Sequence, residues 1–587
     1  MMMKKRSRVL LLLAASLMLL LVALESPERA EAMEQMDDII PSLEEAFCEG
    51  DLELELSSRG EYPIYYTLDG SIPTLDSIFY EGAVTLPASG EVQSCVVRAR
   101  TYDENTGVWG DLFTRTYFYA REMETILDRF NTYIVCLTSD PYNLYDYEYG
   151  IMVEGKIRDE YRASEEYISG KLTQPANFTQ EGREWERDVF VEILSPKGET
   201  LVAQNAGMRI FGHASRQYYY KSFKLYAREE YGPESFAYPF FPDNMPGDGN
   251  EVQESYERLV VRAHGFDKSV TMFREELFQR LCSQIEGIDT KSVAPASVWL
   301  NGAYYNFEWL QEVYDDRYME ENYGLQQMND SYRTVTLRAD RPTTSVPPGS
   351  EEEVIKFTGT GGEEAEVQIS DPEDVQAASD YERVAAYAEK NLTDDRVFEE
   401  LCGLVDLENM LQYFAVETYI GNWDWPLNNV KLYRYYSSSN TYGEDRQDGR
   451  WRYLYYDMEA GFNIFNEPEE EWLSIEQVME ESSLFGAVMK REDMQKRFVY
   501  YLSLCANEYF TEEKVRAAVE QLRSERDQEL SASLSYKQSI DETYTLNMDE
   551  VNENILRIYE FVEKRPQIIK DEVQALFGMD MALTEDR

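Results

Sequence analysis

The sequence predicts an α+β protein in which a small all-β sandwich precedes a larger domain of mixed helices and strands. Three observations carry that prediction. Short alternating apolar runs broken by turn residues fill positions 47–120, the spacing of a small β-sandwich. From about residue 125 the pattern changes, and strand-like and helix-like stretches follow one another without a repeat. The chain has 587 residues, 43% of them hydrophobic, with 44 Tyr, 26 Phe and 8 Trp. That is enough for two or three packed domains and argues against a disordered chain.

The N-terminus comes first. A basic stretch, "MMMKKRSR", leads into an uncharged apolar segment from Val9 to Leu24, and Ala30-Glu31-Ala32 offers a small-x-small site. Apolar residues surround the segment on every side, so it has no polar face to turn to solvent. Residues 1–32 therefore read as a signal peptide, and the protein as exported, either secreted or associated with the cell surface. About 16 apolar residues is the short edge of a span, so cleavage and retention as an anchor both stay open. No Cys follows closely enough to mark a lipid anchor.

Charge and rare residues narrow the function classes. The 56 Lys and Arg against 111 Asp and Glu give a net charge of -55, a field that repels phosphate backbones and argues against nucleic acid as a partner. Six cysteines lie scattered without CxxC spacing, which fits neither a zinc framework nor a dense disulfide scaffold; Cys48 and Cys95 are the candidate pair inside the first domain. His213 and His264 are the only histidines. Multi-His metal sites are thereby disfavoured, and a Ser-His-Asp triad would have to use one of those two.

Within the sandwich, "LELELSS", "YPIYYTLDG", "AVTLPASG", "SCVVRARTYD" and "TRTYFYA" are the strands and their turns. "YYTLDGSIPT", Tyr65 to Thr74, joins a strand to an Asp-Gly turn and then a Pro that ends pairing. With the later "VVRARTYD" and "TRTY", it resembles the chitobiase/β-hexosaminidase C-terminal-type domain over residues 45–121. The resemblance implies an accessory module, one that contacts glycan or cell wall, with Asp69-Gly70 shaping a turn rather than doing chemistry.

The larger domain is expected over 125–575. "DVFVEILSP", "GMRIFGHA" and "KSFKLYAR" are strand-like, "TMFREELFQRLCSQI" has helical spacing, and "ASVWLNGAYYNFEWLQEV" predicts a hairpin turning at Asn301-Gly302. Residues 341–367, rich in Pro, Gly and Glu, read as a surface insertion or linker. Helices follow in "VQAASDYERVAAYAEKN" and in "DLENMLQYFAVETYI", which stops at Gly421. The tail is a helix broken at Pro566 and stopped at Gly578.

Three features in this domain suit phosphoryl transfer, which needs a carboxylate to take a hydroxyl proton and oxygen ligands for Mg2+. The first is "GNWDWPLNN", where Asn429 follows Asp424 by five residues and Asn428 stands beside it. The second is "RWRYLYYDMEAGF", a strand-like aromatic run ending in Asp457. The turn-rich segment between the two predicts a hairpin that brings Asn429 and Asp457 to one end. The third is basic: Arg209, Arg216, Lys221 and Lys224 lie on or beside strands of an otherwise acidic chain, where cations suit nucleotide phosphates.

Together with "LVVRAHGFDKSVTMFREEL", "VWLNGAYYNFEWLQEVYDDRY" and "FVEKRPQII", these blocks resemble the CotH kinase family, the spore-coat-protein-H-like atypical protein kinases, across 125–575. The resemblance implies an atypical bilobed protein-kinase-like domain that uses ATP and Mg2+ (or Mn2+) to phosphorylate Ser or Thr of a protein substrate. It assigns Asp424 as the base, Asn428 or Asn429 as the metal-side Asn, Asp457 as the metal Asp and Lys221 as the phosphate-pairing Lys. Glu459 stands where many relatives have the second Asp of D-x-D, and Phe211-Gly212 where many have Arg-Gly. No GxGxxG loop is present, so phosphate cover would fall to Gly207–Arg216. The helix Glu that partners Lys221 is Glu275 or Glu276, with Glu312 as the competitor, while His264 reads as structural.

The leading expectation is thus an exported protein serine/threonine kinase. The rival is a non-catalytic cell-surface, spore-coat or matrix binding protein that keeps the kinase-like scaffold and binds glycan or wall through the sandwich. Glycoside hydrolysis by paired carboxylates rests on the accessory domain alone.

Overall fold

The computed structural model describes residues 39–581, apart from 59, 61, 171–172, 243, 245–251, 339–340, 344–352, 359–363 and 370–371. The expected signal segment, 1–32, lies outside the described residues. Mixed helices and strands follow an all-β N-terminal region, as an α+β chain requires. The chain divides into two compact units, the first comprising 1–150, 188–205 and 298–305 and the second comprising 151–187, 206–297 and 306–587.

The first unit holds the sandwich. A six-stranded sheet runs in the order Phe47–Glu49, Phe113–Ala120, Gln93–Asp103, Ile64–Thr67 and Ile78–Phe79, with Val108–Trp109 attached to Gln93–Asp103. Leu52–Leu54 pairs with Val84–Leu86, and their Leu52, Leu54 and Val84 pack against Ile64, Val97, Ala99 and Tyr117. Asp69 does shape the turn: its Oδ1 accepts from the Ser71 amide at 3.0 Å and the Ser71 hydroxyl at 2.6 Å. Gly70 at φ +83° brings its backbone so near Asn301 that a Cβ would lie 2.4 Å from that side chain. The expected Cys48–Cys95 pair does not form, and all six cysteines are free. Strand Phe113–Ala120 lies between the two, pairing Tyr119 with Cys48 on one side and Tyr117 with Cys95 on the other. Two strand spacings, about 10 Å, exceed the reach of a disulfide.

The second unit contains two antiparallel arrays. Gly207–Phe211 pairs with Ser222–Tyr226, which pairs with Arg258–Arg262, which pairs in turn with Trp309–Gln311. The other runs Arg341–Thr343, Ser331–Arg338, Val430–Tyr436, Arg452–Leu454. Residues 341–343 therefore extend a sheet, and Glu353–Thr358 with Glu364–Ile369 forms a separate hairpin within the expected insertion. The hairpin expected around 430–454 is present, with Lys431 opposite Leu454 and Tyr433 opposite Arg452. Asn429 enters this hairpin and Asp457 leaves it at the same end.

Helix Leu407–Ile420 is the centre of the unit. Every residue in it except Glu408 is buried, the signature of a helix that is apolar all round and enclosed on every side. Asp406 caps its start, accepting from the Asn409 amide, and Gly421 at φ +64° closes its end in the left-handed conformation. The C-terminal helix Met548–Phe577 holds that end in place. Its fully buried Arg565 donates to the carbonyls of Thr418, Tyr419 and Leu473 at 2.5, 2.9 and 2.7 Å, satisfying carbonyls that a helix end leaves open. This helix stops at Gly578 but, contrary to the sequence expectation, runs unbroken through Pro566. Burial of Val562, Arg565, Ile569 and Val573 on one face outweighs the lost backbone bond.

Candidate active site

The acidic turn after strand Arg452–Leu454 is built around one cation. Arg262, the last residue of its strand, donates from Nη2 to Asp457 Oδ1 and to Glu459 Oε2, each at 2.9 Å. Glu459 also accepts the Phe266 amide on Oε1 at 2.5 Å. Its carboxylate lies against Gly265, where a Cβ would come within 2.0 Å of Oε1. Behind them, helix Arg274–Cys282 supplies Glu275, which pairs with Lys291 at 2.8 Å and accepts the Met458 amide at 2.6 Å. Glu276 of the same helix accepts from Gln311 at 2.8 Å. Four carboxylates thus lie about Arg262 and Lys291, with Lys268 and Arg274 also acting on Glu459. Burial, with Glu459 and Glu275 adding repulsion, pushes the Asp457 carboxyl up to about 7. Burial likewise takes Glu276 up to about 8. Glu275 goes the other way: burial opposes its charge, but Lys291 and Arg262 hold its carboxyl below the ordinary value.

The second loop follows helix Leu407–Ile420. Asp424 is half-buried, and its two carboxylate oxygens each accept an amide nitrogen at 2.9 Å, Oδ1 from Asn428 and Oδ2 from Asn429. This leaves two Asn Oδ1 acceptors that Asp424 does not use. Burial raises the Asp424 carboxyl, against the pull of the two amides and Arg338. The two loops are joined: the Trp423 amide donates to the Ala460 carbonyl at 3.4 Å, and the Phe462 amide to Ile420 at 2.8 Å. Asn429 and Asp457 both adopt left-handed backbone, at φ +60° and +57°, a conformation Asn and Asp tolerate better than most residues.

The basic residues distribute differently from the sequence expectation. Arg209 pairs with Glu186 at 2.6 Å and Arg216 with Glu181 at 2.9 Å. Lys224 and Arg258 share Asp315 at 2.8 and 2.7 Å. Arg209, Lys224, Arg228 and Arg258 all lie within 6 Å of the Tyr226 ring, at 4.6, 5.2, 4.8 and 5.9 Å. Lys221 is buried, donating to the Arg216 and Tyr218 carbonyls at 2.8 and 2.9 Å and sitting 3.9 Å above the Phe178 ring. Burial, helped by Arg158, brings its ammonium down to about 8. Glu312 accepts from Asn244 at 2.7 Å and the Ser292 amide at 2.8 Å, and burial raises it to about 7. The structure thus brings Asp457 and Glu459 together on Arg262, and Asp424, Asn428 and Asn429 together on one loop. It seats Lys221, Arg209, Arg216 and Glu312 in separate polar contacts. The cations on the acidic turn, Arg262 and Lys291, are not ones the sequence pattern singles out. The available signal was a lone Arg closing the apolar run "LVVR".

The donor set suits a hard divalent cation. Among the described residues no group of three or more His, Cys, Asp or Glu forms a closed metal cage. Mg2+ does not need one, taking one or two carboxylates and completing its shell with substrate phosphates and water. The Asp457 side chain is 34% exposed, with Oδ1 held by Arg262, so the carboxylate is open to a ligand from the solvent side. Glu459 has both oxygens engaged and holds Arg262 in place.

Two family models match the chain. One described as CotH kinase protein covers residues 208–569, and one described as Fn3 associated covers 52–117, the β-sandwich. No curated protein matches the chain.

Proposed function

The chain belongs to the CotH kinase protein family, a kinase-like protein, and from that premise we propose that it is an exported protein kinase. In this reading it transfers the γ-phosphoryl group of ATP to a Ser or Thr hydroxyl of a protein substrate, with Mg2+ or Mn2+ as the metal. The observation that carries the reading is the joining of two loops in one compact unit. One presents Asp424 with Asn428 and Asn429, the other Asp457 and Glu459 around Arg262.

Asp424 is the base. It accepts the acceptor hydroxyl's proton as that oxygen bonds to the γ-phosphorus. The bond from the γ-phosphorus to the bridging oxygen breaks, and its electron pair leaves with ADP. Burial supports the role, because a carboxylate raised from its ordinary value takes a proton more readily. The Asn428 and Asn429 amides fix the direction in which Asp424 points. Asp457, with Asn429 or Asn428, would hold the divalent cation, which when bound neutralises charge on the transferred group. Arg262 and Glu459 keep the Asp457 turn in position. Residues 1–32 direct export, and the sandwich contacts wall or glycan. ATP is scarce outside a cell, so transfer takes place before release or where nucleotide is supplied locally.

The test incubates mature protein with labelled ATP and Mg2+ or Mn2+, beside Asp424→Asn and Asp457→Ala. Label that is lost in both variants supports the reading. Equal labelling in all three overturns it, as does a folded wild type that neither labels nor binds nucleotide.

A further inference from the structure

Directly beneath the two loops lies an acid that the proposed chemistry does not use. Glu417 stands in the last turn of helix Leu407–Ile420 and is 0% exposed. Its Oε2 accepts from Asn422 Nδ2 at 2.9 Å, and its backbone carbonyl accepts the Asn422 amide at 3.3 Å. Asn422, also 0% exposed, is bracketed twice by one residue across the Gly421 turn. From there the chain is fixed step by step: the Asn422 carbonyl accepts the Trp425 amide at 3.2 Å, and the Trp423 amide reaches Ala460 on the other loop. Asp424 sits between those two anchored residues.

We propose that Glu417 is a positioning residue for the phosphoryl-transfer site: as a neutral carboxylic acid it holds Asn422, and through Asn422 it sets the Asp424 loop against the Asp457 turn. The inference rests on the kinase reading above. Its physical ground is the surroundings of the carboxyl group. Glu417 Oε1 has no hydrogen-bond partner, nor has Asn422 Oδ1. The titratable groups that act on Glu417 are Glu275 of helix Arg274–Cys282, Asp457 of the acidic turn, Cys282, Tyr413 and Tyr455. No cation is among them. An ionised Glu417 would add negative charge beside two acids, with only one amide to stabilise it. The neutral acid avoids that, keeping one oxygen to accept from Asn422 and a proton on the other. Burial and the repulsion of Glu275 and Asp457 place the titration at about 8, so the loop loosens on the alkaline side of neutrality.

Gln reproduces the neutral acid, one acceptor and one donor, and cannot ionise. We expect Glu417→Ala to lower kcat by about 100-fold with the KM for ATP within about threefold of wild type, the split of a misplaced base rather than a lost binding contact. Glu417→Gln recovers kcat to within about threefold and moves the alkaline limb of the pH profile up by about one pH unit. A Glu417→Ala enzyme as active as wild type, or a Glu417→Gln enzyme with an unchanged alkaline limb, overturns the inference. Amide hydrogen exchange at Trp423 and Trp425 supplies a readout without catalysis. Protection beyond the intrinsic rate falls between pH 7 and 9 in wild type and persists in Glu417→Gln. Identical exchange in the two sinks the inference. PH-linked exchange in a protein that labels nothing supports the Glu417 link and overturns the kinase reading alone.

Discussion

Arg262 and Asp457, 195 residues apart in the chain, are joined by a 2.9 Å ion pair, and the same guanidinium nitrogen reaches Glu459 at 2.9 Å. One cation therefore serves two acids while Glu275 and Glu276 stand behind it. The turn is short of positive charge, and this shortage links its stability to its proposed ligand.

The first prediction follows from the sign of that shortage. Asp457 is raised to about 7, so the folded state keeps its proton over a range where the unfolded chain, with an ordinary carboxyl near 3.9, has released it. Stability therefore falls as pH rises from about 4 to 7 and stays lowered above it. We expect Asp457→Asn to melt higher than wild type at pH 8 and to lose that advantage by pH 4.5. Added Mg2+ should raise the wild-type Tm at pH 8 and leave the variant unmoved. Thermal melts at the two pH values, with and without Mg2+, check both halves.

Removing Arg262 strands the Glu459 carboxylate, which is 5% exposed. Breaking a buried pair from one side costs about 3–5 kcal/mol, so Arg262→Ala should lose roughly that in denaturant unfolding at pH 8. The loss should shrink at pH 5, where more of the acids are protonated. Arg262→Lys keeps the charge and one nitrogen for the two carboxylates that Nη2 serves, but loses the second guanidinium arm, whose Nη1 faces Glu276 at 4.0 Å. It should regain most of the stability and little of the phosphoryl transfer.

Gly265 tests the placement of Glu459 without touching any charge. A Cβ there would fall 2.0 Å from Glu459 Oε1, so Gly265→Ala forces the carboxylate off the Phe266 amide. Overpacking of this kind costs about 1–3 kcal/mol. The expected result is that loss in unfolding, with a higher Mg2+ requirement for labelling. Gly324, with nothing within 4 Å, supplies the control: Ala at its φ of +66° and ψ of −179° costs about 1–3 kcal/mol of backbone strain, yet its Mg2+ requirement should stay that of wild type.

The fold class and the spacing of the candidate loop are legible in the sequence because local patterns encode them. "YYTLDGSIPT" carries its own turn, and "DLENMLQYFAVETYI" its own cap and stop. The Asp424–Asn429 spacing lies within a single loop. What the sequence hides is long-range pairing. Lys221 reads as basic and beside a strand, and only the fold places its ammonium over the ring of Phe178. Arg262 looks like a strand end, and its partners lie 195 and 197 residues away. Pro566 reads as a break because propensity is local, whereas the burial that overrides it is tertiary. Glu417 lay in full view inside an apolar helix, where only its neighbours show that it lacks a counter-ion.

The last prediction separates Asn428 from Asn429, which sequence spacing alone leaves equivalent. Both donate to Asp424 at 2.9 Å, so losing either removes a donor that stabilises the carboxylate. Without it the Asp424 carboxyl rises further, and the acid limb of the pH–rate profile moves up for Asn428→Ala and Asn429→Ala alike. The difference lies in the backbone and in the metal. Asn429 has φ +60°, which Ala occupies at a cost of roughly 1 kcal/mol and Gly does not. Asn429→Ala should therefore be less stable than Asn429→Gly, with both showing the same acid-limb shift. If Asn429 is the metal-side ligand, both of its variants also need several-fold more Mg2+ for half-maximal labelling, while Asn428→Ala does not. The reverse pattern would assign the ligand to Asn428. An unchanged Mg2+ requirement in all three would leave Asp457 as the protein's metal contact and confine both asparagines to aiming the base.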